Sequence, residues 1–193
     1  MKEAFQKDGT LLQDIETSRS DNSDTLHTWW LGQSGFLVMC AGNTVLFDPY
    51  LSDSLTRKYA ATDKPHTRIT ELVIDPSRLT GIDVVTSSHN HTDHFDQETL
   101  AAIFETNPDI QFIIPEANRE FVATRMGCEP DWPIGLNDGV SLEVAGIPFH
   151  GLASAHDELN TNDKGEHHFM AFVIQWGPWT IYHSGDTRLY DGL

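Results

Sequence analysis

The sequence predicts one mixed α/β domain, and three observations carry that prediction. Short apolar runs rich in Val, Ile, Phe and Trp, joined by Gly and Asn turns, fill residues 26–48 and return over 141–184. Between them lies a strand–loop–helix–strand–helix succession over 82–126, the order from which α/β layers are built. No linker, internal repeat or low-complexity tract interrupts the chain, and its 193 residues suffice for one domain with a substantial core.

Taken in order, residues 1–24 read as an N-terminal arm or helix. Phe5, Leu11, Leu12 and Ile15 recur at a weak helical spacing, and SRSDNSD (18–24) is polar and turn-like. The domain proper is expected over 25–193. LHTWWL (26–31), FLVMC (36–40) and TVLFD (44–48) are strand-like and separated by tight turns, which predicts an antiparallel meander. Trp29 and Trp30 begin it, and at least one of them should pack in the core, because neighbouring strand residues face opposite sides. The segment 50–82 has no strong period and is broken by Pro65 and Pro76, so it reads as a functional loop. IDVVTSS (82–88) and QFIIP (111–115) are compact apolar strands, while QETLAAIFET (97–106) and EANREFVATRM (116–126) are helical, the last closed by Gly127. SLEV (141–144), IPFHGLASA (147–155), FMAFVIQW (169–176) and TIYHS (180–184) complete the second β-rich block.

Composition narrows the function. A net charge of −17, from 29 acidic residues against 12 Lys and Arg, repels phosphate backbones. With no basic run, nucleic acid is not an expected partner. No apolar run approaches the roughly 18 residues of a membrane span, and MKEAFQKDGT lacks the apolar stretch of a secretion signal. Cys40 and Cys128 are far apart and form no CxxC, which points to free thiols and a cytoplasmic location. Cys40 sits in an apolar strand, which argues against a thiol nucleophile, and no P-loop, GxGxxG or GxSxG occurs.

The most informative stretch is SSHNHTDHFD (87–96), at the C-terminal end of a strand, where α/β sites gather. His89, His91, Asp93 and His94 form H-x-H-x-D-H. Imidazole nitrogens and a carboxylate are donors that Zn, Mn and Fe accept. On extended backbone His89 and His91 point the same way and can reach one ion. Asp93 and His94 follow where the chain turns and can address a second. Two ions ~3.5–4 Å apart form a hydrolytic centre.

Further donors come from later in the chain. His156, in ASAHDE just past a strand end, is preferred as a third nitrogen over His150, which lies inside the apolar run IPFHG. In YHSGDT (182–187), Gly185 permits a sharp turn that aims Asp186 inward, where its carboxylate could bridge two ions. His183 shares a face with Ile181 and reads as a buried histidine or a partner behind the ligands. His167 and His168, in a polar loop, are candidates to face substrate or solvent.

These residues together resemble the metallo-β-lactamase superfamily of hydrolases. The matching stretches are HNHTDH (89–94), His156 and GDT (185–187), and the resemblance runs from about residue 26 to the end. WWLGQSGF (29–36), FDPY (47–50), HNHTDHFD and YHSGDT resemble the branch that includes ascorbate-6-phosphate lactonase. The resemblance implies a four-layer αββα sandwich with the metals at one edge between the sheets. It implies that His89, His91 and His156 hold a first ion, that Asp93 and His94 hold a second with Asp186 bridging, and that Asp93 handles protons. It also implies a further ligand histidine and more strand and helix than Leu193 leaves room for, so the second half is expected to be incomplete.

The expected function is a metal-dependent hydrolase carrying one or two divalent ions, Zn or Mn. The metal lowers the pKa of water toward 7, and the resulting hydroxide attacks a lactone, ester or phosphodiester of a small molecule. Two alternatives stand beside it: a nuclease or RNA-processing phosphodiesterase of the same superfamily, against which the charge counts, and a metal-binding domain without turnover. Oligomeric state is open.

Overall fold

A computed structural model of the chain describes residues 1–21 and 23–193. Asn22, in the turn-like stretch 18–24, lies outside the described residues. The elements are α1 (Asp8–Arg19), β1 (His27–Gly32), β2 (Gly35–Cys40), β3 (Asn43–Phe47), α2 (Ser54–Tyr59), β4 (Val84–Thr86), α3 (Gln97–Thr106), β5 (Gln111–Pro115), α4 (Arg119–Met126), β6 (Ile134–Leu136), β7 (Ser141–Val144), β8 (Ile147–Ala153), β9 (Met170–Trp176) and β10 (Trp179–His183). The first sheet has the order β1-β2-β3-β4-β5-β6, and the second β10-β9-β8-β7. As expected, β1, β2 and β3 form an antiparallel meander. β3 to β6 then run parallel, linked through helical crossovers.

Alternation along the strands sorts the residues into two apolar layers. Leu37, Met39, Leu46, Val85, Phe112 and Ile114 project from one face of the first sheet and meet Leu11 and Ile15 of α1, Leu100 and Ile103 of α3 and Val122 of α4. Val38, Val45, Phe47, Val84 and Ile113 project from the other face. They interdigitate with Ile147, Phe149, Met170, Phe172, Ile174 and Trp176 of the second sheet. Each such fully buried side chain contributes ~1.5–3 kcal/mol. The layers are therefore helix, sheet, sheet, three of the four that an αββα sandwich has. The outward face of the second sheet, with His150, Leu152, Val173 and Tyr182, carries no helix among the described residues.

Most elements fall where the sequence places them. β6 was not expected; it is three residues long, too short to carry a period. The helix expected over 116–126 opens as a 3-10 turn over Glu116–Asn118. The segment 50–82 contains α2 and a 3-10 turn at Pro76–Arg78, capped by Asp75. Among the described residues no helix is long and apolar enough to cross a membrane.

Candidate metal centre

Five segments meet at one edge of the sandwich. They are the β1–β2 turn, the end of β3, the loop after β4, the loop between β8 and β9, and the turn after β10. The loop after β4 is pinned at its far side. The amides of His94 and Phe95 bond back to the His91 carbonyl at 3.0 and 2.7 Å. The Phe95 side chain is buried against Phe112 and Phe121, and Asp96 caps α3 through the Thr99 amide. That anchoring holds the three histidines over the sheet end.

The ring of His89 lies 4.6 Å from that of His91 and 4.2 Å from that of His94. Donor atoms of His89, His91 and Asp186 all lie within 4.8 Å of one another. Asp186 reaches them because Gly185 adopts φ +53°, and a Cβ there would come within 2.8 Å of Ser88 Oγ. Asp186 Oδ2 is 3.9 Å from His89 Nε2, and its Oδ1 is 3.0 Å from His94 Nε2. The His156 ring is 4.9 Å from that of His91, but its nitrogens stand outside the close donor set, and Nδ1 faces Asp157 at 3.6 Å. Asp93 Oδ2 is 4.0 Å from His94 Nε2. Phe169 packs its ring within 4.9–5.7 Å of His89, His91 and His156 and gives the cluster an apolar wall.

Behind the donors sits a carboxylate to which the sequence reading assigned no role. Asp48, at the end of β3 with φ +39°, is fully buried. Its Oδ1 accepts Thr86 Oγ1 at 2.9 Å and the Ser88 amide at 3.0 Å. Its Oδ2 accepts the Ser88 hydroxyl and His94 Nδ1, the latter at 2.8 Å. His183, buried and stacked on Phe47, brings Nε2 to 3.1 Å from the same oxygen, off hydrogen-bonding alignment. Burial alone pushes the Asp48 pKa up, but His183 and His94 outweigh it and hold the carboxyl well below the usual range.

This network assigns the tautomers. The Ser88 hydroxyl donates to Asp48, so it accepts from His89 Nδ1 at 3.0 Å. The proton of His89 is then on Nδ1, and Nε2 carries a lone pair. His89 Nε2 is buried and has no hydrogen-bond partner among the described residues. Burial first, and then His94, lower the His89 pKa and keep it neutral. For His94, burial lowers the pKa, but Asp186 and Asp48 overcome it and push it up to about 10. Without an ion, its Nε2 proton bridges to Asp186. These donors suit a divalent ion: a buried nitrogen lone pair without a partner among the described residues faces a carboxylate, among groups of the kind divalent ions take.

The remaining candidates lie elsewhere. His150 bonds Ser141 Oγ at 2.8 Å on the outward face of the second sheet. It alternates with Phe149, which points into the core, so it is not part of the site. His168 is held by Asn118, with Nδ1 at 2.9 Å from Oδ1, at the end of the strand next to β4. His167 lies in the same loop, its Nδ1 buried without a partner among the described residues. A groove of about 430 Å³, lined by Phe36, Phe47, Ile181 and His183, opens beside Ser34 and Gly185. A larger cavity, about 500 Å³, lies under the N-terminal arm and includes none of the donors.

Comparison with known proteins identifies the family of the chain. Residues 28–190 match the family described as "Beta-lactamase superfamily domain". The chain is 30% identical over 193 residues to the "Probable L-ascorbate-6-phosphate lactonase" of Escherichia coli, covering 85% of this chain and 54% of that protein. It is 27% identical over 185 residues to the mitochondrial N-acyl-phosphatidylethanolamine-hydrolyzing phospholipase D of Saccharomyces cerevisiae, covering 90% of this chain and 37% of that one. The fold superposes on the crystal structure of isothiocyanate hydrolase from Delia radicum gut bacteria with a TM-score of 0.59 at 20% identity, over 84% of this chain and 63% of that one. The chain spans about half the length, or less, of these curated relatives.

Proposed function

Since the chain belongs to the β-lactamase superfamily, we propose that it is a metal-dependent hydrolase that opens a lactone, ester or phosphodiester bond of a small molecule. The observation that carries this reading is the buried, unpartnered Nε2 of His89 facing Asp186. His89 and His91, with His156 after a side-chain rotation, would hold one divalent ion. Asp93 and His94 would hold a second, with Asp186 between them. A divalent ion there supplies Lewis acidity and makes water a nucleophile at neutral pH.

The chain's own groups do the rest. Asp48 fixes both His89 and His94 with their Nε2 atoms toward the centre, directly for His94 and through Ser88 for His89. Asp93 is half-buried and accepts no hydrogen bond among the described residues. It is therefore free to take the proton of an attacking water. Phe169 sets an apolar ring against the histidine side. The groove lined by Phe36, Phe47 and Ile181 receives the apolar part of a small substrate. Opening a lactone and cleaving an ester or phosphodiester share one requirement, stabilisation of charge developing on oxygen, which this donor set meets.

The test is elemental analysis of the purified chain and of His91→Ala, followed by turnover of p-nitrophenyl esters, a lactone and bis(p-nitrophenyl) phosphate. The expected result is at least one equivalent of metal, lost in the variant together with hydrolysis. Metal-independent hydrolysis, or a chain that takes up no ion, would sink the reading.

A further inference from the structure

The stretch WWLGQSGF contains a turn to which the reading above gives no task. Gln33 and Ser34 form a two-residue connection between β1 and β2, closed by the pair Gly32 and Gly35. Gln33 is held at φ +51°, a conformation that glycine usually supplies in such turns. Gly32 adopts φ +99°, and a Cβ there would come within 2.8 Å of Thr70 Oγ1. A Cβ on Gly35 lies 3.1 Å from the Gly32 carbonyl oxygen. The Trp30 indole N–H donates to the Gln33 carbonyl at 2.8 Å. The turn is thus fixed in a strained shape from several sides, the kind of local cost that persists where the surrounding structure imposes it.

What the turn delivers is a hydroxyl. Ser34 Oγ lies 3.3 Å from His94 Nε2, part-buried, and has no other hydrogen-bond partner among the described residues. Asp186 Oδ1 approaches the same nitrogen at 3.0 Å and Asp93 Oδ2 at 4.0 Å. One imidazole nitrogen is therefore ringed by three oxygens from three separate segments. An ion that binds that nitrogen in place of its proton, which passes to solvent, ends the Ser34 contact and leaves the hydroxyl beside it.

Resting on the metal-centre reading, we propose that Ser34 is an additional oxygen donor to a divalent ion on the His94 side of the centre. Its consequence is selectivity. A position built from one nitrogen and three oxygens suits Mn²⁺ or Mg²⁺, whereas the side with His89 and His91 suits softer ions. The two sides of the centre would then prefer different metals. The turn between β1 and β2 becomes part of the site rather than a connection.

The experiment is a cobalt(II) titration of the full chain and of Ser34→Cys, read by absorption. A thiolate bound to cobalt gives a near-ultraviolet charge-transfer band, whereas a hydroxyl does not. The parent is a proper blank, because Cys40 is buried in the inter-sheet core and Cys128 follows α4, away from the donors. The expected result is visible cobalt bands in both proteins and the charge-transfer band only in S34C. Visible bands in both with no charge-transfer band would overturn the role of Ser34 and leave the centre standing. No cobalt uptake by the parent would overturn the centre and the proposal together. If circular dichroism shows S34C unfolded, Ser34→Ala replaces it, titrated with Mn²⁺ and Zn²⁺. Mn²⁺ affinity should then fall about tenfold and Zn²⁺ affinity much less. An equal effect on both ions, or none, overturns the proposal.

Discussion

Replacing Asp48 by Asn changes almost no volume and removes one charge, so its effect isolates the work of the buried carboxylate. Oδ1 of the new amide still accepts from Thr86 and the Ser88 amide, at the positions now 2.9 and 3.0 Å away. The other end becomes an NH₂ that faces the Ser88 hydroxyl and His94 Nδ1, both of which donate to the carboxylate in the parent, and His183 Nε2, which approaches it at 3.1 Å. Removing one partner from a buried, hydrogen-bonded charge pair costs about 3–5 kcal/mol. For a chain of this size each kcal/mol is worth roughly 2–4 °C in Tm, so D48N without added metal should melt about 6–20 °C below the parent at pH 7. A second effect follows from the tautomers. An NH₂ donating to His94 Nδ1 drives the ring proton to Nε2, the atom that faces Asp186. Metal affinity should fall about 10- to 100-fold, as read by calorimetric titration. A Tm within about 2 °C of the parent, with metal binding unchanged, would refute the argument that Asp48 organises the centre.

Gly185→Ala should place a methyl 2.8 Å from Ser88 Oγ on backbone at φ +53°, and so shift Asp186; the expected outcome is a loss of one bound ion by elemental analysis with circular dichroism preserved. Stability without metal should also depend on pH through His94. Its folded pKa, pushed up to about 10, exceeds the unfolded value near 6.5. Its contribution is therefore full below about pH 6.5 and is lost as pH rises toward 10. Urea denaturation in chelator at pH 7 and pH 10 should show the fall, and His94→Gln should flatten it.

How much of this was legible in the sequence depends on the range of each signal. α3 and β5 were readable to the residue, because their apolar period and their caps are local. β6 was not, since three residues carry no period and its pairing with β5 is a tertiary fact. The close approach of His89, His91, His94 and Asp186 follows from a motif at one strand end and a glycine turn at another, both visible in the string. Asp48 was not, although it lies in FDPY. Nothing local says that its side chain turns inward beneath Ser88 and His94, and only the parallel pairing of β3 with β4 brings them together. Ser34 was hidden for the same reason. His150 shows the converse: it stood as a candidate behind the ligands or toward substrate, yet alternation within its own strand places it opposite Phe149 and away from the centre.

The centre draws on both sheets: His89 follows β4 in one and Asp186 follows β10 in the other. An ion gripping both acts as a reversible clasp across the sandwich. The unfolded chain holds no such arrangement, so bound metal adds RT ln(1 + [M]/Kd) to the folded state, about 2.7 kcal/mol at a hundredfold excess over Kd. The clasp cannot close before the sheets have docked. Metal uptake by a refolding chain therefore reports that the two sheets have docked, and chelation should speed their parting.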